Sequence, residues 1–293
     1  MKPRDIFDLI MVAALFGGAF LFMRVAAPEF GAIPLIAVRL ALAALFLLPV
    51  IFARQGVGEI LQHWRPITMI AILHYALPFS LFAYALLTLT GSFTAIVNAS
   101  SPLFTGVIAS LWIGERLPAL RIVGLLVGFA GVVLLVWDKV NWNLDAAGIA
   151  AAAAVSASFC YGVAVVLMKK HLSGVSPLAI ATGSMVIGAI ILLPFAAWLW
   201  PDAAPSENAW VMAAALGIAC TSLAFVLYFR LIASVGPTKA ITVTFLVPVF
   251  AVVFGAILLD ESISVSMIAG GLVILLGTGL STGLLKPRSA PPL

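Results

Sequence analysis

The sequence predicts an all-α membrane protein, with ten transmembrane helices arranged as two inverted five-helix repeats. Three observations lead there. Apolar runs long enough to cross a bilayer follow one another with short connections, basic residues alternate from loop to loop, and the second half echoes the first. Of 293 residues, 64% are hydrophobic and 9% charged, with a mean hydropathy of +1.23. A water-soluble domain carries about 25% charged residues. Too few polar groups remain to cover an aqueous surface, and hydrocarbon is the solvent that fits. The pI of about 9.3 does not point to nucleic acid, because the 15 Lys and Arg form no stripe or cluster. Cys160 and Cys220 lie within apolar runs and read as small buried hydrophobes rather than a disulfide or a metal pair.

A helix crossing the hydrocarbon core needs about 20 apolar residues. The first such run, residues 6–27, follows Lys2 and Arg4; it is longer than the apolar region of a signal peptide, and no clear small-residue cleavage site follows it. Spans two to five are predicted at 34–53, 66–88, 92–113 and 118–137. Five more follow at 147–168, 177–200, 208–233, 237–259 and 264–285. The connections are short, several are marked by Pro or Gly, and none is long enough for a soluble domain.

Charge placement tests this count. With the N-terminus in the cytoplasm, the cytoplasmic segments hold six basic pairs: Lys2/Arg4, Arg54/Arg65, Arg116/Arg121, Lys169/Lys170, Arg230/Lys239 and Lys286/Arg288. The opposite side holds Lys139, while Arg24 and Arg39 fall in or near the first two spans. Basic loops stay inside, so both termini are expected in the cytoplasm. A miscounted span breaks the alternation.

The repeat appears when the chain is slid against itself by 146 residues, which aligns 92–136 with 238–282 without a gap. Pro102 then meets Pro248, Phe104 meets Phe250, Glu115 meets Glu261, Gly124 meets Gly270 and Gly131 meets Gly277. Upstream, with a slightly drifting offset, Pro34-Leu35 echoes Pro177-Leu178 and Tyr84 echoes Tyr228. The expected halves are residues 1–139 and 140–293. Five spans per half is an odd number, so the two copies enter the membrane in opposite senses. Inverted repeats are the usual architecture of secondary transporters, with the substrate site near the midplane between the halves.

The segment NASSPLFTGVIASLWIGERLP (98–118), its counterpart TFLVPVFAVVFGAILLDESIS (244–264) and the Gly-rich span after each resemble the EamA domains of the drug/metabolite transporter superfamily. The likeness covers nearly the whole chain as two tandem domains. It implies a central cavity lined by the first four helices of each half, with the fifth and tenth at the periphery. The ten-helix layout is similar to the amino-acid exporters, the YddG-like aromatic amino-acid exporters among them. That implies an exporter in a bacterial inner membrane, working as a monomer on a small organic substrate with the lipid bilayer as its other partner.

Ionisable groups at membrane depth are costly and mark candidate sites. Arg39 lies about two turns into the second span. It is placed either to grip a substrate carboxylate through its guanidinium or to snorkel to the interface. His74, near the middle of the third span, is a candidate for substrate binding or proton uptake, or a hydrogen-bonded packing residue. Asn98, Ser101 and Pro102 share a helix face by their spacing, and Thr244 and Pro248 hold the equivalent face of the second half. A proline frees a carbonyl one turn earlier and leaves polarity that can line a cavity, or simply a kink. Tyr84 and Tyr228 recur near span ends and Tyr161 lies deeper; stacking on substrate competes with interfacial anchoring. The glycines of spans five and ten read as close-packing positions, and Glu115 and Glu261 as caps or ion-pair partners beside short turns, with gating as the alternative.

No phosphate-binding loop, zinc-ligand cluster or nucleophile elbow is present. Neither an ATP-driven pump nor a membrane enzyme is expected, and no metal or cofactor is implied. The small multidrug-resistance relatives carry a carboxylate in the middle of their first helix, where this chain has Ala13, Ala14 and Leu15. That leaves facilitated export or coupling through His74. The leading expectation is alternating-access export of amino acids or similar small metabolites. The alternatives are a drug or other metabolite exporter, a sugar-phosphate or nucleotide-sugar carrier, for which the cations are too few, and a passive channel.

Overall fold

Apolar sequence in hydrocarbon must satisfy every peptide group internally, and helix does so within a single segment. The computed structural model describes residues 1–115, 117–137 and 145–283, and contains no strand among them. Arg116, Lys139, Lys286 and Arg288, used above for topology, lie outside the described residues.

Among the described residues, nine helices are long and apolar enough to cross a bilayer. They are α1 (Pro3–Phe30), α2 (Ala32–Ala53), α3 (Trp64–Ala85), α4 (Gly91–Ile113), α5 (Ala119–Trp137), α6 (Ala146–His171), α7 (Pro177–Trp198), α8 (Glu207–Val235) and α10 (Val265–Thr282). The ninth predicted span, 237–259, is not one helix. Gly236, at φ 82°, ends α8, Pro237–Ala240 forms a separate turn, and α9 resumes as Val243–Leu258 with 16 residues. The Thr242 and Thr244 amides donate to carbonyls three residues back, a tightened linkage that breaks the α-helical register. A short surface helix, Val57–Gln62, joins α2 to α3.

Helix pairing follows small residues. A Cβ on Gly17 of α1 would fall 2.8 Å from Phe250 Cβ of α9, and one on Gly162 of α6 would fall 2.8 Å from Phe104 Cβ of α4. Between α5 and α10, a Cβ on Gly277 would come within 2.2 Å of the Gly128 amide nitrogen. These glycines therefore let backbones touch, which is how helices associate where no hydrophobic effect drives them together. The helix α2 packs on α7, α3 on α6, and α1 on α8.

Side-chain pairs divide the ends of the helices into two faces. At the N-terminal face, Arg230 holds Asp8 through two bonds, one of them 2.7 Å from Nε, and Ser234 donates to Asp5. Glu59 accepts from the Ser176 amide and Lys169 pairs with Glu115 on the same side. At the far face, Glu29 accepts from the amide and hydroxyl of Ser206, and Phe30 stacks edge-on with Trp200 and Trp210. Glu261 accepts from the Gly91 amide (2.7 Å), the Ser92 amide (3.0 Å) and the Ser92 hydroxyl (2.5 Å), capping the start of α4.

Two helices widen mid-course. Residues Ala71–Ala76 of α3 and Ala215–Leu223 of α8 are π-helical. In the second, Thr221 and Ser222 donate to the carbonyls of Leu216 and Gly217, five residues back. Such widenings displace side chains from the α-helical stripe and are common at functional sites.

Candidate functional site

The widened turn of α3 reaches a cavity of roughly 230 Å³ within the bundle through His74, and that of α8 meets the same cavity's Arg39 through Thr221. Four helices of the first half supply Phe16, Ala19, Phe20 and Met23 (α1), Arg39 (α2), His74, Phe79 and Phe82 (α3), and Asn98 and Ser101 (α4). Three of the second half supply Tyr161 (α6), Phe225 and Tyr228 (α8), and Val243, Thr244 and Val247 (α9). Seven of the eight binding residues singled out from the sequence therefore line one space: Arg39, His74, Asn98, Ser101, Tyr161, Tyr228 and Thr244.

Tyr84 does not line it. It sits near the end of α3, 43% exposed, on a turn that points away from the cavity. The two prolines are also set back from it. Pro102 is the second residue of the segment Ser101–Ile113, which resumes α4 after a break at Ala99–Ser100, while Pro248 is buried within a continuous α9. The break in α4 still matters, because it frees carbonyls: Ser101 Oγ donates to the Asn98 carbonyl at 2.7 Å and lies 3.3 Å from Asn98 Oδ1.

Arg39 is the charged group of the cavity, and it is only 4% exposed. Three neighbours hold it. Nε donates to Thr221 Oγ1 at 2.9 Å, Nη1 points at Met23 Sδ at 3.4 Å, and the guanidinium carbon lies 3.7 Å from the centre of the Phe79 ring. The π-helical turn of α8 is what presents Thr221, whose own hydroxyl proton goes to Leu216. Hydroxyl, thioether and ring orient the cation without neutralising it. Snorkelling is thus not its role; by contrast Arg24, nearer the helix end, donates to the Leu86 carbonyl at the far face.

His74 sits on the π-helical turn of α3 between the rings of Tyr75 (4.9 Å) and Tyr161 (4.8 Å). Its Nδ1 is buried without a hydrogen-bond partner. An unpaired buried polar atom costs about 1–3 kcal/mol, and this one, on a cavity-lining residue, has no protein group to pair with. On the far-face side of the cavity the lining includes Phe20 and Phe82, packed edge-to-face at 5.7 Å and 5% and 1% exposed. Toward the N-terminal face it reaches the first turn of α9 through Val243 and Thr244. Among the described residues no group of His, Cys, Asp and Glu is arranged to hold a metal ion.

Sequence reasoning missed Thr221, Phe79 and Met23. A Thr and a Phe within apolar runs carry no periodic or compositional signal, and each matters here through its contact with an arginine distant in the chain.

Residues 6–137 and 148–283 each match the EamA-like transporter family. The chain is 28% identical over 240 residues to the uncharacterized transporter YvbV of Bacillus subtilis, covering 81% of this chain and 78% of that one. It is 24% identical over 281 residues to the uncharacterized transporter YoaV of the same organism, covering 94% and 95%. A WAT1-related chloroplastic protein of Arabidopsis thaliana is 27% identical over 282 residues, 91% of this chain and 66% of that one. A solved crystal structure superposes over 97% of this chain and 99% of its own with a TM-score of 0.67 at 18% identity, a likeness of fold.

Proposed function

This chain belongs to the EamA-like transporter family, and on that footing we propose that it is a secondary transporter exporting small carboxylate-bearing metabolites. Neutral and aromatic amino acids are the first substrates to test. Arg39 is the observation that carries this: a fixed, unneutralised guanidinium in an aromatic-lined cavity built by helices of both halves. A guanidinium stays charged in any accessible pH range and matches a carboxylate through two parallel hydrogen bonds. One such cation suits a carboxylate better than a phosphate, which calls for several.

Alternating access, with halves proposed at residues 1–139 and 140–293, is supported by pairs of helix contacts that recur between corresponding helices. The Gly17–Phe250 contact of α1 with α9 is mirrored by Gly162–Phe104 of α6 with α4. The π-helical turns occupy corresponding stretches of α3 and α8, 144 residues apart at their starts. The α2–α7 and α5–α10 pairs are each their own mirror image. Two nearly equivalent halves of opposite sense are what a carrier needs to present one site to two sides. Pairing between helix ends on each of two faces supports ten crossings. The basic ends at Lys169 and Arg230 support cytoplasmic termini in a bacterial inner membrane. With that orientation, the Phe20–Phe82 pair is proposed as the outward closure, with the Val243–Thr244 end of the cavity toward the cytoplasm.

The test is saturable uptake by the purified protein in proteoliposomes across a panel of aromatic and aliphatic amino acids and related carboxylates. Arg39→Gln is expected to weaken carboxylate binding by about 2–4 kcal/mol, roughly 30- to 700-fold. Unchanged affinity in that variant removes Arg39 from the site.

A further inference from the structure

An amino acid brings an ammonium as well as a carboxylate, and the cavity answers only one of them. Every described acidic side chain is placed elsewhere. Asp5, Asp8, Glu59 and Glu115 are engaged at the N-terminal face, and Glu29 and Glu261 at the far face. Asp145 caps α6, while Asp202, Glu207 and Asp260 are exposed in loops or at helix ends. None lines the cavity.

A ligand ammonium there would lose its water and gain no counter-ion. It would also share the space with Arg39, whose like charge opposes it. Desolvating a charge without a paired partner is among the most costly events in a low-dielectric site. The groups left for an ammonium are ring faces and the neutral oxygens of Asn98, Ser101 and Thr244, a partial compensation. The rings serve an apolar body better: Phe16, Phe20, Phe82, Tyr161, Phe225 and Tyr228 surround the space below the guanidinium. At roughly 230 Å³ the space suits a small ligand.

We infer that the preferred cargo is an aromatic organic monocarboxylate without an α-ammonium, such as an arylalkanoic or aromatic 2-oxo acid, and that zwitterionic amino acids are secondary ligands. This rests on the reading of the cavity as the substrate site with Arg39 as the carboxylate contact. It narrows that reading by the group the cavity does not provide.

Calorimetric binding to the full-length protein in detergent micelles at neutral pH tests it and avoids the passive permeation of weak acids. Three ligands share one ring and a three-carbon chain, 3-phenylpropanoate, L-phenylalanine and 3-phenylpropanamide, and a fourth, 2-phenylethylamine, keeps the ring and ammonium of phenylalanine without its carboxylate. The propanoate is expected to bind at least about tenfold tighter than phenylalanine, the amide weakly and the amine undetectably. In Arg39→Gln the advantage of propanoate over its amide should vanish. Phenylalanine binding as tightly as the propanoate, or tighter, overturns the inference and leaves the carboxylate carrier standing. Amine or amide binding as tightly as the propanoate, or no binding by either carboxylate, overturns both. The wild-type ranking decides the matter even if the Arg39 variant fails to fold.

Discussion

Glu261 offers the sharpest handle on how the far face closes. Its carboxylate, in the α9–α10 connection, accepts from two amides at the start of α4 and from the Ser92 hydroxyl, at 2.7, 3.0 and 2.5 Å. Gly255 makes room: a Cβ there would lie 2.4 Å from Glu261 Oε2 and 2.5 Å from Ser92 Oγ. A helix cap contributes about 1 kcal/mol, and the charged hydroxyl bond adds about 1.5 kcal/mol. Replacing Glu261 with Ala therefore removes about 2–3 kcal/mol from the closed arrangement. At 1.4 kcal/mol per factor of ten, the closed-to-open ratio at the far face falls by about 30- to 140-fold. The assay is labelling of a cysteine at Ala19, a 5%-exposed cavity position, by an impermeant maleimide applied from the far face. The buried thiols Cys160 and Cys220 are first replaced by alanine. Glu261→Ala is predicted to speed labelling by an amount within that range, limited by how closed the parent is. A rate equal to or below that of the parent refutes the latch and leaves Glu261 as a static cap.

Other expectations follow from the same geometry. Gly255→Ala should act in the same direction as Glu261→Ala, because its methyl displaces the carboxylate, and the same labelling measures it. Thr221→Val removes the hydroxyl that accepts from Arg39 Nε and should weaken carboxylate binding about tenfold, while Thr221→Ser should restore it. Gly277→Val forces α5 and α10 apart at the Gly128 backbone and should destabilise the protein by about 3 kcal/mol or more, read as a lowered Tm. Gly58→Ala, which meets nothing within 4 Å, should leave Tm unchanged. Tyr161→Ala should weaken binding, whereas Tyr84→Ala, outside the cavity, should not change the Kd.

Much of this arrangement was legible in the sequence because it rests on repetition and on rare residues. Spans announce themselves by length, and Arg39 and His74 stand out because charge and imidazole are scarce at membrane depth. Asn98, Ser101 and Thr244 were found by pairing a face in one half with its copy in the other. The same logic failed for Tyr84. Its echo of Tyr228 is real in sequence, but the turn of α3 that carries it faces away from the cavity. The π-helical turns carry no compositional signal: in α8 the widening coincides with hydroxyls reaching carbonyls five residues back, and in α3 no Ser or Thr marks it. For that reason Thr221 and its hold on Arg39 could not be foreseen. The interruption before α9 was hidden as well, since residues 237–259 are apolar throughout apart from Thr238, Lys239, Thr242 and Thr244.

Counterflow tests the carrier claim most directly. Proteoliposomes holding the purified protein are loaded with an unlabelled aromatic carboxylate or amino acid that binds, then diluted into a trace of the labelled form. A carrier that alternates around one site predicts a transient, saturable accumulation of label above equilibrium that requires the preload and is abolished in Arg39→Gln. A linear influx, indifferent to preload and unsaturated at high concentration, contradicts alternating access and makes the cavity a channel.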